Sequence, residues 1–228
     1  MGGQAHGAVI FDVDGVMVDT ALQHFAAWRQ VFAEVGRGLS EEEFRATFGW
    51  RNQEILRHVL GDCVSEVQVE ELGRKKEEYY RALVQRDVEA APGLMPLFEA
   101  LRDHGFKIAV GTSAPRENVE LILDVLGIEE QLDVVVAGED VDRGKPDPET
   151  FLLAARQCSV EPSRCVVLED AAAGVQAAKA AGMSCIGVGR TDMVQADLTV
   201  DSLTKVTIPV IQSLLERRDN YYQGSSVC

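Results

Sequence analysis

Two aspartates, Asp12 and Asp14, follow a four-residue apolar run, Ala8-Val9-Ile10-Phe11. The run reads as a buried parallel strand. A carboxylate at the C-terminal end of such a strand is costly to desolvate unless something compensates it. At a spacing of two on extended backbone, both side chains point the same way. Two such carboxylates raise each other's pKa or gather a cation. They suit a site that holds a hard divalent cation and does nucleophilic and acid–base work. Gly15 permits a sharp turn behind them. An ordinary strand followed by an Asp-Gly turn is the competing reading.

Three further strand-like runs end in polar groups. Phe106 to Val110 leads to Gly111, Thr112 and Ser113. Val134 to Ala137 leads to a loop with Asp140, Asp142 and Lys145. Cys165 to Leu168 leads to Glu169 and Asp170. In a parallel sheet these ends share one edge, where open α/β sheets bind ligands. Glu169 and Asp170, with the first pair, have the chemistry to hold Mg²⁺. Thr112 offers a hydroxyl at a loop-to-helix junction, where backbone N–H groups welcome an anion. Lys145 is a point charge able to neutralise phosphate and carboxylate alike. Two prolines restrain its loop, Gly144-Lys145-Pro146-Asp147-Pro148. A plain loop lysine is the simpler alternative.

The elements that position these groups alternate. Beyond Pro92-Gly93, strand-like runs are separated by helical patterns at Leu97–Arg102, Val119–Leu126, Phe151–Cys158 and Ala172–Ala181, and Cys185–Val188 is the next strand. Such alternation predicts an α/β fold, a Rossmann-like doubly wound parallel sheet. Between Thr20 and about Val88 the strand signals vanish. Phe25, Trp28, Val31, Phe32 and Val35 recur at helical spacing, and Ser40 with Glu43 forms a capping-box signature. Further helices are expected around Glu54–Leu60 and from Ser65 onward. The expected division is an α/β core from residues 1–18 and 92–228, interrupted by an inserted all-α block at 19–91.

Composition narrows the partners. The net charge of −15 over 228 residues argues against nucleic acid or an anionic membrane surface. A phosphate site must then use local cations, backbone N–H groups and metal. Five cysteines include no CxxC pair, which fits neither a disulfide framework nor a zinc site and suits a reducing compartment. The opening residues, MGGQAHGAV, carry no basic-plus-apolar leader, and no apolar run approaches a membrane span. A soluble, cytoplasmic monomer acting on a small molecule is expected.

Phe11–Thr20, Val110–Ser113, Gly144–Pro148 and Leu168–Gly174 resemble, in order, the four motifs of the haloacid dehalogenase superfamily. The helical block resembles the cap of its β-phosphoglucomutase-like branch. The likeness spans about Val9 to Val188 and implies a phosphotransferase working through an aspartyl phosphate. By that resemblance Asp12 is the nucleophile and a Mg²⁺ ligand. Asp14 is the general acid/base and gives a backbone carbonyl to the metal. Thr112 and Lys145 bind the transferring phosphoryl group beside the Ser113 N–H. Asp170 with Glu169 completes the metal shell. Dehalogenating members lack the second aspartate of the first motif, and Asp14 is present.

His24 and Trp28 match the HxxAW-like stretch of mutases and related sugar phosphatases, which implies a substrate-facing His24. A plain surface or core histidine is the alternative. Lys76 resembles a mutase lysine that reaches the sugar phosphate; an exposed helix lysine is the simpler reading. Mutases carry an arginine three residues after the glycine equivalent to Gly49, where it grips a second phosphate. Here Asn52 stands in that place and Arg51 comes one residue early, a rotation of about 100° on a helix. A mutase must hold a bisphosphate at both ends, whereas a phosphatase needs one phosphate site. The expected function is a Mg²⁺-dependent phosphatase for a small phosphorylated metabolite, a sugar phosphate. The alternative is a β-phosphoglucomutase interconverting β-glucose 1-phosphate and glucose 6-phosphate.

Overall fold

The four residues of β1 (Ala8–Phe11) are all fully buried, as an apolar run without alternation requires. In the computed structural model, which describes residues 6–47, 50–61, 64–189 and 193–224, five more parallel strands follow. They are β2 (Lys107–Gly111), β3 (Val134–Val136), β4 (Cys165–Glu169), β5 (Ser184–Val188) and β6 (Leu198–Val200). The sheet order is β3-β2-β1-β4-β5-β6. Phe11 is level with Val110 on one side and Leu168 on the other. The strand that carries Asp12 is therefore central, with β2 and β4 ending beside it.

Helices cover both faces of this sheet. Ala8 and Ile10 pack with Phe151, Ala154 and Ala155 of one helix (Glu149–Gln157) and with Val175, Ala177 and Ala178 of another (Ala172–Ala180). On the opposite face Phe11 meets Phe98 of a helix at Leu94–Asp103, ring centroids 5.1 Å apart in an edge-to-face arrangement. Each such fully buried side chain contributes about 1.5–3 kcal/mol. Contacts divide the chain into two compact units, Thr20–Val88 and the remainder.

The Thr20–Val88 unit is helical. α1 (Ala21–Glu34), α2 (Glu41–Thr47), α3 (Asn52–Leu60) and α4 (Glu66–Val84) surround a core that includes Trp28, Phe32, Phe44, Leu56 and Leu72. The Ser40–Glu43 capping box forms: the Glu43 N–H donates to Ser40 Oγ at 3.1 Å, and Glu43 Oε2 accepts from the Ser40 N–H at 2.9 Å. α4 opens on a second one, in which Ser65 Oγ accepts from the Gln68 N–H.

Three readings change. β6 lies beyond the last strand legible in the sequence; it is a three-residue edge strand beside β5. α3 begins at Asn52, two residues earlier than expected. Arg51 is the residue before that helix, with extended backbone at φ −68° and ψ 147°. The 100° argument, which placed Arg51 and Asn52 on one helix, therefore does not apply; Arg51 leaves on non-helical backbone. Gly49, the reference point of that argument, lies outside the described residues. No described helix is long and apolar enough to cross a membrane.

Candidate active site

The ladder between β1 and β4 continues one step past Phe11, the Asp12 N–H donating to the Leu168 carbonyl at 3.0 Å. That places Asp12 beside the end of β4, where Glu169 and Asp170 follow. Asp12, Glu169 and Asp170 each offer a carboxylate oxygen, and these lie within 4.8 Å of one another. Asp12 and Glu169 are buried. Three converging carboxylates suit a hard, oxygen-preferring cation, and a donor set without His or Cys does not favour zinc.

Lys145 reaches into this group from the loop after β3. Its Nζ donates to Asp12 Oδ1 at 2.7 Å and to Glu169 Oε1 at 2.5 Å, with its side chain 7% exposed. The ammonium also stands 4.8 Å from the Phe151 ring centroid, a cation–π contact that burial strengthens. Burial alone would lower its pKa, but the charges of Asp12 and Glu169 outweigh that and hold it above its ordinary value. The reading of Lys145 as a plain loop lysine is thereby overturned.

The carboxyls feel the opposite balance. Burial pushes Asp12 up to about 7; Lys145 opposes the rise, and the charges of Glu169 and Asp14 add to it. Burial, then Glu169 and Asp12, pushes Asp170 up to about 8. Such crowded acids favour either protons or a cation. Asp14 is not one of the three grouped carboxylates, yet its charge is felt by both Asp12 and Asp170.

The surrounding backbone is shaped to these side chains. Glu169 Oε2 accepts from the Ala171 N–H at 2.8 Å. A Cβ on Gly174 would collide with the Glu169 carboxylate, and one on Gly15 with that of Asp170. Gly15 also has φ +80°, so it serves the turn and the close approach together. The Lys145 loop is braced by Glu149, which accepts from the N–H groups of Asp142 and Arg143, both at 3.2 Å. Thr112 follows β2 on the same edge, 2% exposed, with its Oγ1 accepting from the Ala114 N–H at 3.1 Å. Ser113 beside it is exposed.

The other singled-out residues lie in the helical unit. His24 stacks on Tyr80, ring centroids 4.0 Å apart. Lys76 is 2% exposed, which overturns the simpler reading of an exposed helix lysine. Its Nζ donates to Glu77 Oε1 at 2.9 Å, and the Asn52 amide donates to the same oxygen at 2.6 Å. Glu77, Phe151, Glu149 and the role of Gly174 escaped the sequence reading. For Glu77 a signal existed. Val69, Leu72, Gly73, Lys76, Glu77, Tyr80 and Val84 form the buried stripe of α4, so the two charges fall within its apolar period.

A family model for haloacid dehalogenase-like hydrolases matches residues 6–182. Fructose-1-phosphate phosphatase YqaB of Escherichia coli is 35% identical over 187 residues, covering 81% of this chain and 97% of the relative. The β-phosphoglucomutase of Bacillus subtilis is 32% identical over 218 residues, covering 92% and 96%. The crystal structure of β-phosphoglucomutase from Clostridium difficile superposes with a TM-score of 0.84 at 30% identity, covering 94% of this chain and 99% of that one.

Proposed function

Because the chain belongs to the haloacid dehalogenase-like hydrolases, we propose that it is a Mg²⁺-dependent phosphatase for a small phosphorylated sugar, working through an aspartyl phosphate. The observation that carries this reading is the meeting of Asp12, Lys145, Glu169 and Asp170 at the end of the central strand. Asp12, Glu169 and Asp170 would hold the metal through their carboxylates, with Asp14 adding its backbone carbonyl. Bound Mg²⁺ would supply positive charge for the transferring phosphoryl oxygens.

Asp12 attacks phosphorus through a carboxylate oxygen, and the bond to the sugar oxygen breaks. Asp14 gives that oxygen its proton, so the sugar leaves as an alcohol. Asp14, now ionised, takes a proton from water as the water oxygen attacks phosphorus. The acyl phosphate bond breaks, Asp12 is regenerated, and inorganic phosphate leaves. Lys145 and Thr112 hold the phosphoryl group in line, since this chemistry needs positioning and charge neutralisation above all. His24, Asn52 and Lys76 read the part of the substrate that does not react.

A relative named as a fructose-1-phosphate phosphatase supports the sugar-phosphate reading. A β-phosphoglucomutase is the second reading, favoured by a mutase relative matched over 92% of this chain. Against it, the position implied for the mutase arginine is Asn52, whose amide is engaged by Glu77. The test is a panel of sugar phosphates assayed for free phosphate with Mg²⁺ present, with β-glucose 1-phosphate also followed for glucose 6-phosphate. Phosphate release from several sugars supports the phosphatase; isomerisation without net release supports the mutase.

A further inference from the structure

The loop that follows β2 is tied to the turn that follows β3. The Thr112 N–H donates to the Val136 carbonyl at 3.0 Å, which carries the β2–β3 ladder one step past Gly111. The Gly138 N–H then donates to the Ala114 carbonyl at 2.9 Å. The helix at Arg116–Leu126 starts behind Pro115 with no side-chain cap from that residue, and the first N–H groups of a helix lack partners within it. Glu139 supplies one: its Oε2 accepts from the Arg116 N–H at 2.9 Å. Asp140 Oδ2 accepts from the Arg116 guanidinium and from the Ala137 N–H, the latter at 2.8 Å. Gly138, Glu139 and Asp140, consecutive in the chain, thus all hold the stretch from Ala114 to Arg116.

Thr112 and Ser113 lie directly before that stretch, and the approach is close. A Cβ on Gly138 would stand 2.7 Å from the Ser113 carbonyl oxygen, a backbone atom that cannot swing aside. The Arg116 side chain is 40% exposed and that of Asp140 29%. Ion pairs as open as this add little to stability. Glu120 also stands 3.9 Å from Arg116, so two carboxylates compensate its charge and leave it a poor ligand for phosphate. What the pair does is fix position. Asp140 is set in its own turn by the Ala137 N–H, and through Arg116 it sets the start of the helix that follows Ser113.

We propose that Asp140 is a positioning residue, which through Arg116 holds the Thr112 hydroxyl and the Ser113 N–H where the phosphoryl group is received. The inference rests on the phosphatase reading and on the roles given above to Thr112 and Ser113. All of these residues belong to one compact unit, the one that carries Asp12. Asp140 takes no part in bond making or breaking.

The test uses the full-length chain. Inorganic phosphate is titrated by calorimetry at saturating Mg²⁺, Mg²⁺ is titrated alone, and kcat/KM is measured with nitrophenyl phosphate. Asp140→Asn keeps an oxygen for the Ala137 N–H and loses the ion pair. It should bind phosphate ~10-fold more weakly and lose ~10–100-fold in kcat/KM, with Mg²⁺ affinity within ~2-fold of wild type. A merely structural role would lower the melting temperature without separating phosphate from Mg²⁺. Arg116→Met breaks the same pair from the other side and should show the same selective loss; Arg116→Lys should recover most of it. If Asp140→Asn does not fold, Arg116→Met and Gly138→Ala carry the test, the second displacing the Ser113 carbonyl with no change of charge. Unchanged phosphate binding in both then overturns the proposal. Equal losses of phosphate and Mg²⁺ in Asp140→Asn overturn it too, as does a loss in Arg116→Met that Asp140→Asn does not share. Wild type that binds phosphate and cleaves the ester, with Asp140→Asn matching it, sinks this inference alone. Wild type that does neither removes the phosphatase reading and this inference with it.

Discussion

The carboxylate of Glu169 fills the space that a Cβ on residue 174 would need. Gly174 is thus required by a side chain five residues earlier rather than by its own backbone. In Gly174→Ala that carboxylate must move, and with it the hydrogen bonds to Lys145 Nζ and the Ala171 N–H. The carboxylate is the end of a side chain and can swing aside, but it is buried and paired with Lys145, so stability should fall as well. A displacement of about 1 Å at the reacting groups is enough for a ~10²-fold loss. kcat/KM should fall by that order, and the melting temperature should fall with it. Full activity in the variant would show that Glu169 need not sit where it does.

Asp12 and Asp14 should fail differently. Asp12→Asn removes the nucleophile, so neither phosphoenzyme nor product should form. Asp14→Asn keeps the nucleophile but loses the proton shuttle, and turnover should drop ~10²–10⁴-fold. The loss should shrink with a nitrophenyl ester, whose leaving group needs no proton. Intact-protein mass after rapid quench separates them. A phosphoryl adduct on Asp12→Asn, or equal losses for good and poor leaving groups in Asp14→Asn, would reverse the assignment.

Metal dependence carries a pH signature. Burial raises Asp12 to about 7 and Asp170 to about 8 from the ordinary 3.8. The metal-free fold thus holds protons more tightly than the unfolded chain. This contribution to stability is full below about pH 4 and is lost as pH rises through 7 to 8. Metal binds the ionised carboxylates and should restore the stability there. Mg²⁺ should therefore raise the melting temperature more at about pH 8.5 than at about pH 5.5. An equal rise at both would refute the linkage.

Chelation should abolish turnover and added Mg²⁺ restore it. Asp170→Asn should weaken Mg²⁺ binding in a calorimetric titration. Ca²⁺, with longer bonds and looser coordination, should inhibit. Full turnover in excess chelator would remove the metal from the mechanism.

His24→Ala and Lys76→Ala should reorder the preferred sugar phosphates while leaving Mg²⁺ affinity unchanged. Substrate panels and metal titrations on the same preparations check this. An unchanged ranking in both variants would return those residues to purely structural roles.

Much of the fold was legible because its strands carry unbroken apolar runs and its helices carry period and caps. Ala8–Phe11 could hardly be anything but an interior strand, and Ser40 with Glu43 marked a helix start that the structure contains. β6 was not legible: Leu198-Thr199-Val200 is short, polar in the middle and flanked by Asp197 and Asp201. At the site, Asp12, Lys145, Glu169 and Asp170 could be gathered on paper because each follows a recognisable strand end. The burial of Lys76 was harder to see, since lysine at a helix position normally reports solvent. What hid it was reading residue type ahead of position in the stripe. The bracing of the Lys145 loop by Glu149 depends on backbone N–H directions that no sequence period encodes.

The central place of β1 also bears on how the molecule comes into being. Ala8 takes its sheet partners from Lys107 and Cys165, so β1 stays unpaired until β2 has been made and lacks its second neighbour until β4 follows. The helices of Thr20–Val88 depend on near neighbours and can form in the meantime, whereas closing the sheet waits on distant pairings, the slow kind. A ribosome-bound chain ending before β2 would hold the residues of the helical unit and a bare apolar strand, with Asp12 still lacking Lys145. Catalytic competence is therefore a late event in the life of each molecule, and the interval before it is the one in which the nascent chain is most exposed to aggregation.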